Sequence, residues 1–117
     1  MYDIELYEDE NRKCEIEEYL KKLANSKSKE DRIKLNKIRM YINLLSQCGL
    51  ELTEPYIKKI DKDIWELRPL RDRILFASWY NNEFILLSYF MKKTQKTPKS
   101  EIDRAKRLFE DYKRRSG

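Results

Sequence analysis

The apolar residues of the chain recur with strand spacing in some segments and with helix spacing in others. Near the N-terminus Tyr2, Ile4 and Leu6 alternate with polar residues, which predicts a short, half-buried strand. In the next segment apolar residues recur at i, i+3, i+4 and i+7, as on one face of a helix: Ile16, Tyr19, Leu20, Leu23 and Ala24. Asp9 or Asn11 can cap this helix at its N-terminus.

A second amphipathic helix is predicted after the polar connector 25–31. One of its faces carries Leu35, Ile38, Tyr41, Ile42 and Leu45. Gly49 is expected to end it, since glycine accepts the backbone conformation found just past a helix C-terminus. Two amphipathic helices joined by a short polar turn predict an antiparallel helical hairpin at about residues 10–48.

Three β-rich runs follow in the second half of the chain. They cover residues 64–68, 73–80 and 83–91. Pro69 ends the first run because proline has no N–H to donate to a strand ladder. Asn81 and Asn82 join the other two and suit a tight turn, since asparagine tolerates positive φ. The runs predict an antiparallel meander at about residues 63–92.

A C-terminal helix is predicted at about residues 98–114. Its inward face carries Ile102, Ala105, Phe109 and Tyr112. Thr97 can cap it with Pro98 at the first helical position, and Ser100 with Asp103 is an alternative start. The order of elements predicts one α+β domain with a mainly antiparallel sheet, and the helices are expected to cover one face of that sheet.

Composition agrees with a single small domain. A chain of 117 residues can bury one modest core, and 40% of its residues are apolar. The apolar runs are much shorter than the ~18 residues of a membrane span. The acidic N-terminus does not resemble a signal peptide. We therefore expect a soluble, cytoplasmic protein without membrane association.

The charge is unevenly distributed. Residues 1–57 carry 10 Lys/Arg against 12 Asp/Glu, whereas residues 58–117 carry 16 against 9, for a net charge of +5. A basic half-chain indicates a surface that faces a polyanion, with phosphate as the anion. The alternative is that these lysines and arginines merely solvate helix faces.

Metal and cofactor chemistry is not expected. The chain has no histidine, and Cys14 and Cys48 lack the close spacing of metal ligands. Without a histidine to activate it, neither thiol is expected to be a nucleophile, and both suit small apolar positions on helices.

Strand parity brings candidate charged residues together. On the first meander strand Trp65 and Leu67 are expected to face the core, while Glu66 and Arg68 point to an open face. Arg73 opens the next strand and can approach this pair. A simpler explanation is that Glu66 and Arg68 form a surface ion pair of little consequence.

The last strand ends in Lys92 and Lys93. These lysines can protect a strand end from aggregation, or they can complete a phosphate-binding face. RNA cleavage suits such a set because the substrate supplies the nucleophile, its 2′-hydroxyl. Cations stabilise the developing phosphorane. Glu66 can act as base or orient an arginine, and Phe90 can stack on a nucleobase.

Several short motifs follow one another between residues 63 and 109. They are Trp65-Glu66-Leu67-Arg68, Arg73-Ile74, and a run that includes Phe90, Lys92-Lys93, Thr97-Pro98, Glu101-Ile102 and Ala105. In these motifs the chain resembles the HigB-type, phage-derived branch of the RelE/ParE toxin superfamily. The resemblance implies a small RelE-like (microbial ribonuclease-like) fold. It also implies a type II toxin that cleaves mRNA on the ribosome without a metal, paired with a cognate helix-turn-helix (HigA-type) antitoxin in a hetero-oligomer.

The resemblance also implies site residues. The catalytic candidates are Glu66, Arg68, Arg73, Lys92 and Lys93. Beyond the positions that the resemblance implies, the candidates for RNA binding are basic and aromatic residues: Lys58, Lys59, Arg71, Tyr89, Phe90 and Lys96. Some relatives place a His or Tyr near the chain end for proton transfer, and this chain has no His, which leaves Lys93, Lys92 and Tyr89 as possible acids.

Two further expectations concern partners. The superfamily also includes ParE-like inhibitors of DNA gyrase that do not cleave RNA, and these provide the alternative function. The acidic balance of the N-terminal half suits protein contact, so the helix pair at residues 10–48 is expected to offer a surface to the antitoxin.

Overall fold

The computed structural model describes residues 1–80 and 82–116. Its elements are β1 (Asp3–Leu6), α1 (Glu15–Asn25), α2 (Lys29–Cys48), a 3-10 turn (Gly49–Glu51), β2 (Ile57–Lys59), β3 (Trp65–Leu67), β4 (Asp72–Trp79), β5 (Glu83–Met91) and α3 (Lys99–Ser116). The predicted α+β fold, with an N-terminal helical hairpin and a C-terminal helix, is confirmed. None of the described helices has the length and apolar character needed to cross a membrane.

The strands form one sheet in the order β1-β5-β4-β3-β2. β1 runs parallel to β5, and the other neighbours are antiparallel. The edge strand β2 was not predicted, because two of its three residues are lysines and it lacks an apolar alternation. Asn81, in the predicted turn between β4 and β5, lies outside the described residues, and its neighbour Asn82 has φ 60°.

Both faces of the sheet are covered, so the expectation that helices cover one face is wrong. α1 and α2 pack on the face that carries Leu67, Ile74, Phe76, Phe84 and Leu86. α3 packs on the face that carries Ile64, Leu75, Ala77, Ile85 and Leu87. The cause is visible in β4 and β5, whose central residues are apolar without alternation, as in strands buried on both sides.

The helical hairpin begins later than residue 10. The Cys14 side chain caps α1 by accepting the N–H of Glu17 at 3.4 Å. Asp9 instead accepts the N–H groups of Asn11 and Lys13 in a turn before the helix. α2 ends at Gly49 as predicted, and the N–H of that glycine donates to Leu45.

α3 begins at Lys99, and the carbonyl of Pro98 accepts the N–H groups of Glu101 and Ile102. The Thr97 hydroxyl, predicted to cap this helix, donates to the Glu66 carboxylate at 2.6 Å. The connector between β5 and α3 is therefore fastened to β3 across the sheet, and this contact shapes the candidate site.

Candidate active site

The Glu66 carboxylate lies at the centre of a buried ionic cluster. Glu66 is only 2% exposed. It is therefore neither the open-face residue that strand parity predicted nor part of the surface ion pair of the simpler explanation. Oε2 accepts the hydroxyl of Thr97, while Oε1 lies 3.4 Å from Arg68 Nε and 3.8 Å from Arg73 Nε. Removing a carboxylate from water is costly, and here a hydrogen bond from Thr97 and ion-pair contacts with two arginines offset that cost.

The two arginines of the cluster differ in how much they reach solvent. Arg73 is 7% exposed in its side chain, and its Nη1 donates to the carbonyls of Leu70 (2.8 Å) and Asp72 (2.9 Å). Arg68 is 21% exposed, and its Nη1 lies 3.7 Å from the exposed carboxylate of Glu54. Arg68 Nε is buried and has no hydrogen-bond acceptor among the described residues. Arg68 is thus the cation of the cluster that a ligand can reach.

The cluster carries more positive than negative charge. Burial lowers the pKa of Arg73, and repulsion from the Arg68 guanidinium lowers it further, while Glu66 and Asp72 oppose that shift. The Glu54 carboxylate near Arg68 is exposed to solvent, so in the buried part of the site two guanidinium groups face one carboxylate and leave an excess of positive charge at low dielectric. Such a site gains electrostatic energy from binding an anion, which suits a phosphodiester.

A cleft of about 240 Å³ opens above the cluster. Its lining joins β2, β3, the connector before α3 and the first turn of α3: Lys58, Lys59, Ile60, Glu66, Arg68, Gln95, Lys96, Thr97 and Ile102. Lys58 pairs with Glu66 in the ladder and so faces the same side of the sheet. The Lys59 ammonium instead lies 5.3 Å from the Trp65 ring centroid, on the hairpin side.

A second hollow of about 360 Å³ lies on the other side of Lys96. Phe90 and Lys93 line it together with Met91 and Pro98. Because Lys96 borders both cavities, a chain with regularly spaced phosphates can run from the cleft into this hollow, where Phe90 offers an aromatic surface.

Two predicted site residues, Tyr89 and Arg71, lie elsewhere, and Lys92 lines neither cavity. Tyr89 stacks on Tyr19 with ring centroids 4.2 Å apart, on the hairpin face and away from Glu66. Arg71 borders a groove beside α2, and its Nη2 donates to the carbonyl of Lys92. The Lys92 N–H donates to Arg71 O at 2.7 Å, which fixes the end of β5 to the turn before β4.

The sequence did not reveal one contact within the site and one buried carboxylate on the opposite face of the sheet. Thr97 was noticed as a helix cap, but its hydrogen bond to Glu66 depends on a contact between residues distant in the chain. Asp72 is 1% exposed and accepts the Tyr19 hydroxyl at 2.8 Å, with Lys34 Nζ 3.7 Å from its other oxygen. No local motif marks the Asp72 pairing. Within the described part of the chain, no group of three or more Cys, Asp or Glu residues could hold a metal ion.

The chain matches a family model over most of its length. The model is described as Phage derived protein Gp49-like (DUF891), and it matches residues 18–110, which include α2, the whole meander and most of α3. No curated protein matches the chain. Because the model covers more than half of the sequence, the chain belongs to the phage-derived Gp49-like family.

Proposed function

We propose that the protein is the toxin of a type II toxin–antitoxin pair, a HigB-type endoribonuclease that cuts mRNA on the ribosome without a metal ion. The observation that carries the proposal is the buried Glu66 carboxylate bracketed by Arg68 and Arg73 beneath a lysine-lined cleft. The phage-derived family and the sequence resemblance to RelE-like toxins support it. Its partner is a cognate helix-turn-helix antitoxin.

The reaction is a transesterification. The ribose 2′-oxygen attacks the adjacent phosphorus, its proton leaves to a base, and the P–O5′ bond breaks. The products are a 2′,3′-cyclic phosphate and a 5′-oxygen that receives a proton. The phosphorane carries an additional negative charge, so positioned cations lower its free energy more than that of the substrate.

Each member of the cluster has a distinct part in this scheme. Arg68, with the more exposed guanidinium, contacts the phosphate and stabilises the phosphorane. The buried carboxylate of Glu66 contacts Thr97, Arg68 and Arg73. In this scheme it therefore positions the arginines and does not remove the 2′-proton. Arg73 contacts Glu66 and donates hydrogen bonds to the turn before β4, and its buried guanidinium adds positive charge beneath the cleft.

Proton transfer falls to the lysines around the cleft. Lys58 faces the same side as Glu66, Lys96 borders both cavities, and Lys93 lines the adjoining hollow. An ammonium group can protonate the departing 5′-oxygen, and a neutral lysine can accept the 2′-proton. Tyr89 takes no part, because its ring is stacked on Tyr19 across the sheet.

Mapping RNA 5′ ends in cells that express the protein tests the proposal. Wild type is expected to produce new ends within translated messages, and Arg68→Ala is expected to abolish both these ends and growth arrest. Arg107→Ala is the matched control, because Arg107 is an exposed arginine on α3. Intact messages together with trapped gyrase on cleaved DNA would reject the nuclease in favour of a ParE-like inhibitor.

A further inference from the structure

An apolar groove of about 400 Å³ lies beside α2, away from the Glu66 cleft. Its floor is formed by Ile33 of α2, Leu70 of the turn between β3 and β4, and Met91 at the end of β5. These side chains are 49%, 47% and 47% exposed. Single exposed apolar residues are ordinary, but three that converge on one concave surface from different elements are typical of an interaction site.

Leu70 adopts an unfavourable backbone conformation. Its φ is 57°, in the left-handed region that residues with a Cβ atom rarely occupy. The turn is held in place because the Leu70 carbonyl accepts Arg73 Nη1 at 2.8 Å. The fold thus keeps a strained residue whose apolar side chain points toward solvent and stabilises no core, a combination found at functional surfaces.

The rim of the groove is basic. Lys29, Lys34 and Arg71 surround the apolar floor, with Glu30 as the acidic member of the lining. The charge of Lys34 is already paired in part, since its ammonium lies 3.7 Å from the Asp72 carboxylate. The remaining cations favour a partner that carries carboxylates around an apolar centre.

We propose that this groove, formed by Ile33, Leu70 and Met91 with its basic rim, is a docking site for an acidic amphipathic segment of a partner protein. Aliphatic side chains of the segment fill the floor, and its Asp or Glu residues meet the rim. An aliphatic floor offers no ring on which a nucleobase can stack, which argues against RNA. In a toxin–antitoxin pair the segment would belong to the antitoxin, and only that assignment rests on the proposed function.

The test is a binding titration with a designed probe. A fluorescein-labelled helical peptide of about 16 residues, with leucines at i, i+4 and i+7 and glutamates at most other positions, is added to the full-length protein. Saturable binding is expected from fluorescence anisotropy. Ile33→Glu and Met91→Glu are each expected to weaken it at least about tenfold, since each places a carboxylate in the apolar floor. Met40→Glu is the matched control on α2, because Met40 is 45% exposed and lies outside the groove lining.

Other outcomes overturn the proposal. Absence of binding to the wild type, or equal binding by Ile33→Glu and Met91→Glu with intact circular dichroism, would reject the groove as a docking site. Equal binding of a peptide with lysine in place of glutamate would reject the acidic partner. If Ile33→Glu instead abolishes self-association in sedimentation, or binding of a single-stranded RNA oligonucleotide, the occupant is a second copy or a nucleic acid. None of these results depends on whether the protein cleaves RNA.

Discussion

The hydroxyl of Thr97 donates a hydrogen bond to the buried carboxylate of Glu66. It is the donor to Oε2, and the arginines lie near Oε1 at distances of 3.4 and 3.8 Å. A carboxylate in this setting is costly when a donor is removed, because water cannot easily replace it. The Glu66 cluster, the proposed catalytic site, and the fold therefore depend on the same hydrogen bond.

Thr97→Val is expected to lower the free energy of unfolding by about 1–3 kcal/mol and to reduce RNA cleavage, because it leaves one oxygen of Glu66 without its donor. Thr97→Ser should restore most of both. The matched control is Thr94→Val, which removes an exposed hydroxyl bond to the carbonyl of Lys96. Urea unfolding measures the difference, and equal stability of the Thr97 and Thr94 valine variants would contradict this role.

Arg73→Lys separates the shape of the arginine from its charge. Lysine keeps a cation near Glu66 but cannot reproduce the planar group that also holds the carbonyls of Leu70 and Asp72. We expect a loss of about 1–3 kcal/mol in stability and at least a tenfold slower single-turnover cleavage. Arg107→Lys, an exposed substitution, should leave both unchanged. A fully stable and fully active Arg73→Lys variant would show that charge alone suffices.

The strands β4 and β5 set the architecture because both of their faces are apolar. Residues such as Leu75 and Phe76 are fully buried on opposite sides, which calls for a helical layer on each face. The sequence predicted the order and approximate limits of the main elements, since periodicity and helix-end residues are local signals. It did not predict the second helical layer, because an apolar run such as β4 indicates a strand but does not show that helices cover both of its faces.

Strand parity predicts on which side of the sheet a candidate site residue lies, but not what packs against it. Parity placed Glu66 and Arg68 on one face, and the position of Arg73 at the start of β4 placed it near them; the two arginines lie 3.4 and 3.8 Å from Glu66. It left Tyr89 among the candidates, and the stacking on Tyr19 that removes it depends on how α1 crosses the sheet. The burial of Glu66 likewise follows from the path of the connector before α3, for which local sequence gives no signal.

Gly49 joins α2 to the rest of the fold at a position that no other residue suits. Its φ is 60°, and a Cβ there would lie 2.6 Å from the Tyr2 ring. Gly49→Ala is expected to cost about 1–3 kcal/mol from the backbone conformation alone, with a further cost from the displaced ring.

Thermal unfolding of Gly49→Ala, with and without Tyr2→Ala, separates the two costs. The exposed neighbour Leu50→Ala serves as a control and should change stability little. If Gly49→Ala unfolds at the wild-type temperature, the close approach of Tyr2 is not required by the fold.

The C-terminal part of α3 is fastened by Asp111, which accepts the Tyr7 hydroxyl at 2.6 Å and contacts Arg114 and Arg115. The hydrogen bond from Tyr7, followed by that from Arg114, lowers the pKa of Asp111 to about 2 from its usual 3.8. A lowered pKa stabilises the folded state above the unfolded value and loses this contribution as pH falls toward the folded value.

The stability difference between the wild type and Asp111→Asn is therefore expected to be constant above about pH 5 and to shrink between pH 4 and pH 2. Chemical unfolding at a series of pH values measures it. Asp103→Asn is the control, since Asp103 pairs with the exposed Lys99 at 3.6 Å. A difference that persists unchanged at pH 2 would show that the Asp111 charge is not its source.

The two layers of the molecule carry two surfaces that meet at Met91, which lines both the groove and the hollow beside Lys96. The α3 side carries the Glu66 cleft with its lysines, and the hairpin side carries the groove of Ile33, Leu70 and Met91. The turn before β4 lies between them, since Leu70 lines the groove while its carbonyl holds Arg73 of the cluster. The groove and the cleft are thus linked through this turn, although they share no lining residue.

If Arg68 and Arg73 promote RNA cleavage by attack of the 2′-hydroxyl, as we propose, the chemistry of the cut ends records that attack. Purified protein is added to ribosomes translating a defined message, and the product termini are identified. We expect 2′,3′-cyclic phosphate and 5′-hydroxyl ends, both absent with folded Arg68→Ala and present with Arg107→Ala. An uncut message, ends with 5′-phosphate, or undiminished cleavage by folded Arg68→Ala would contradict it.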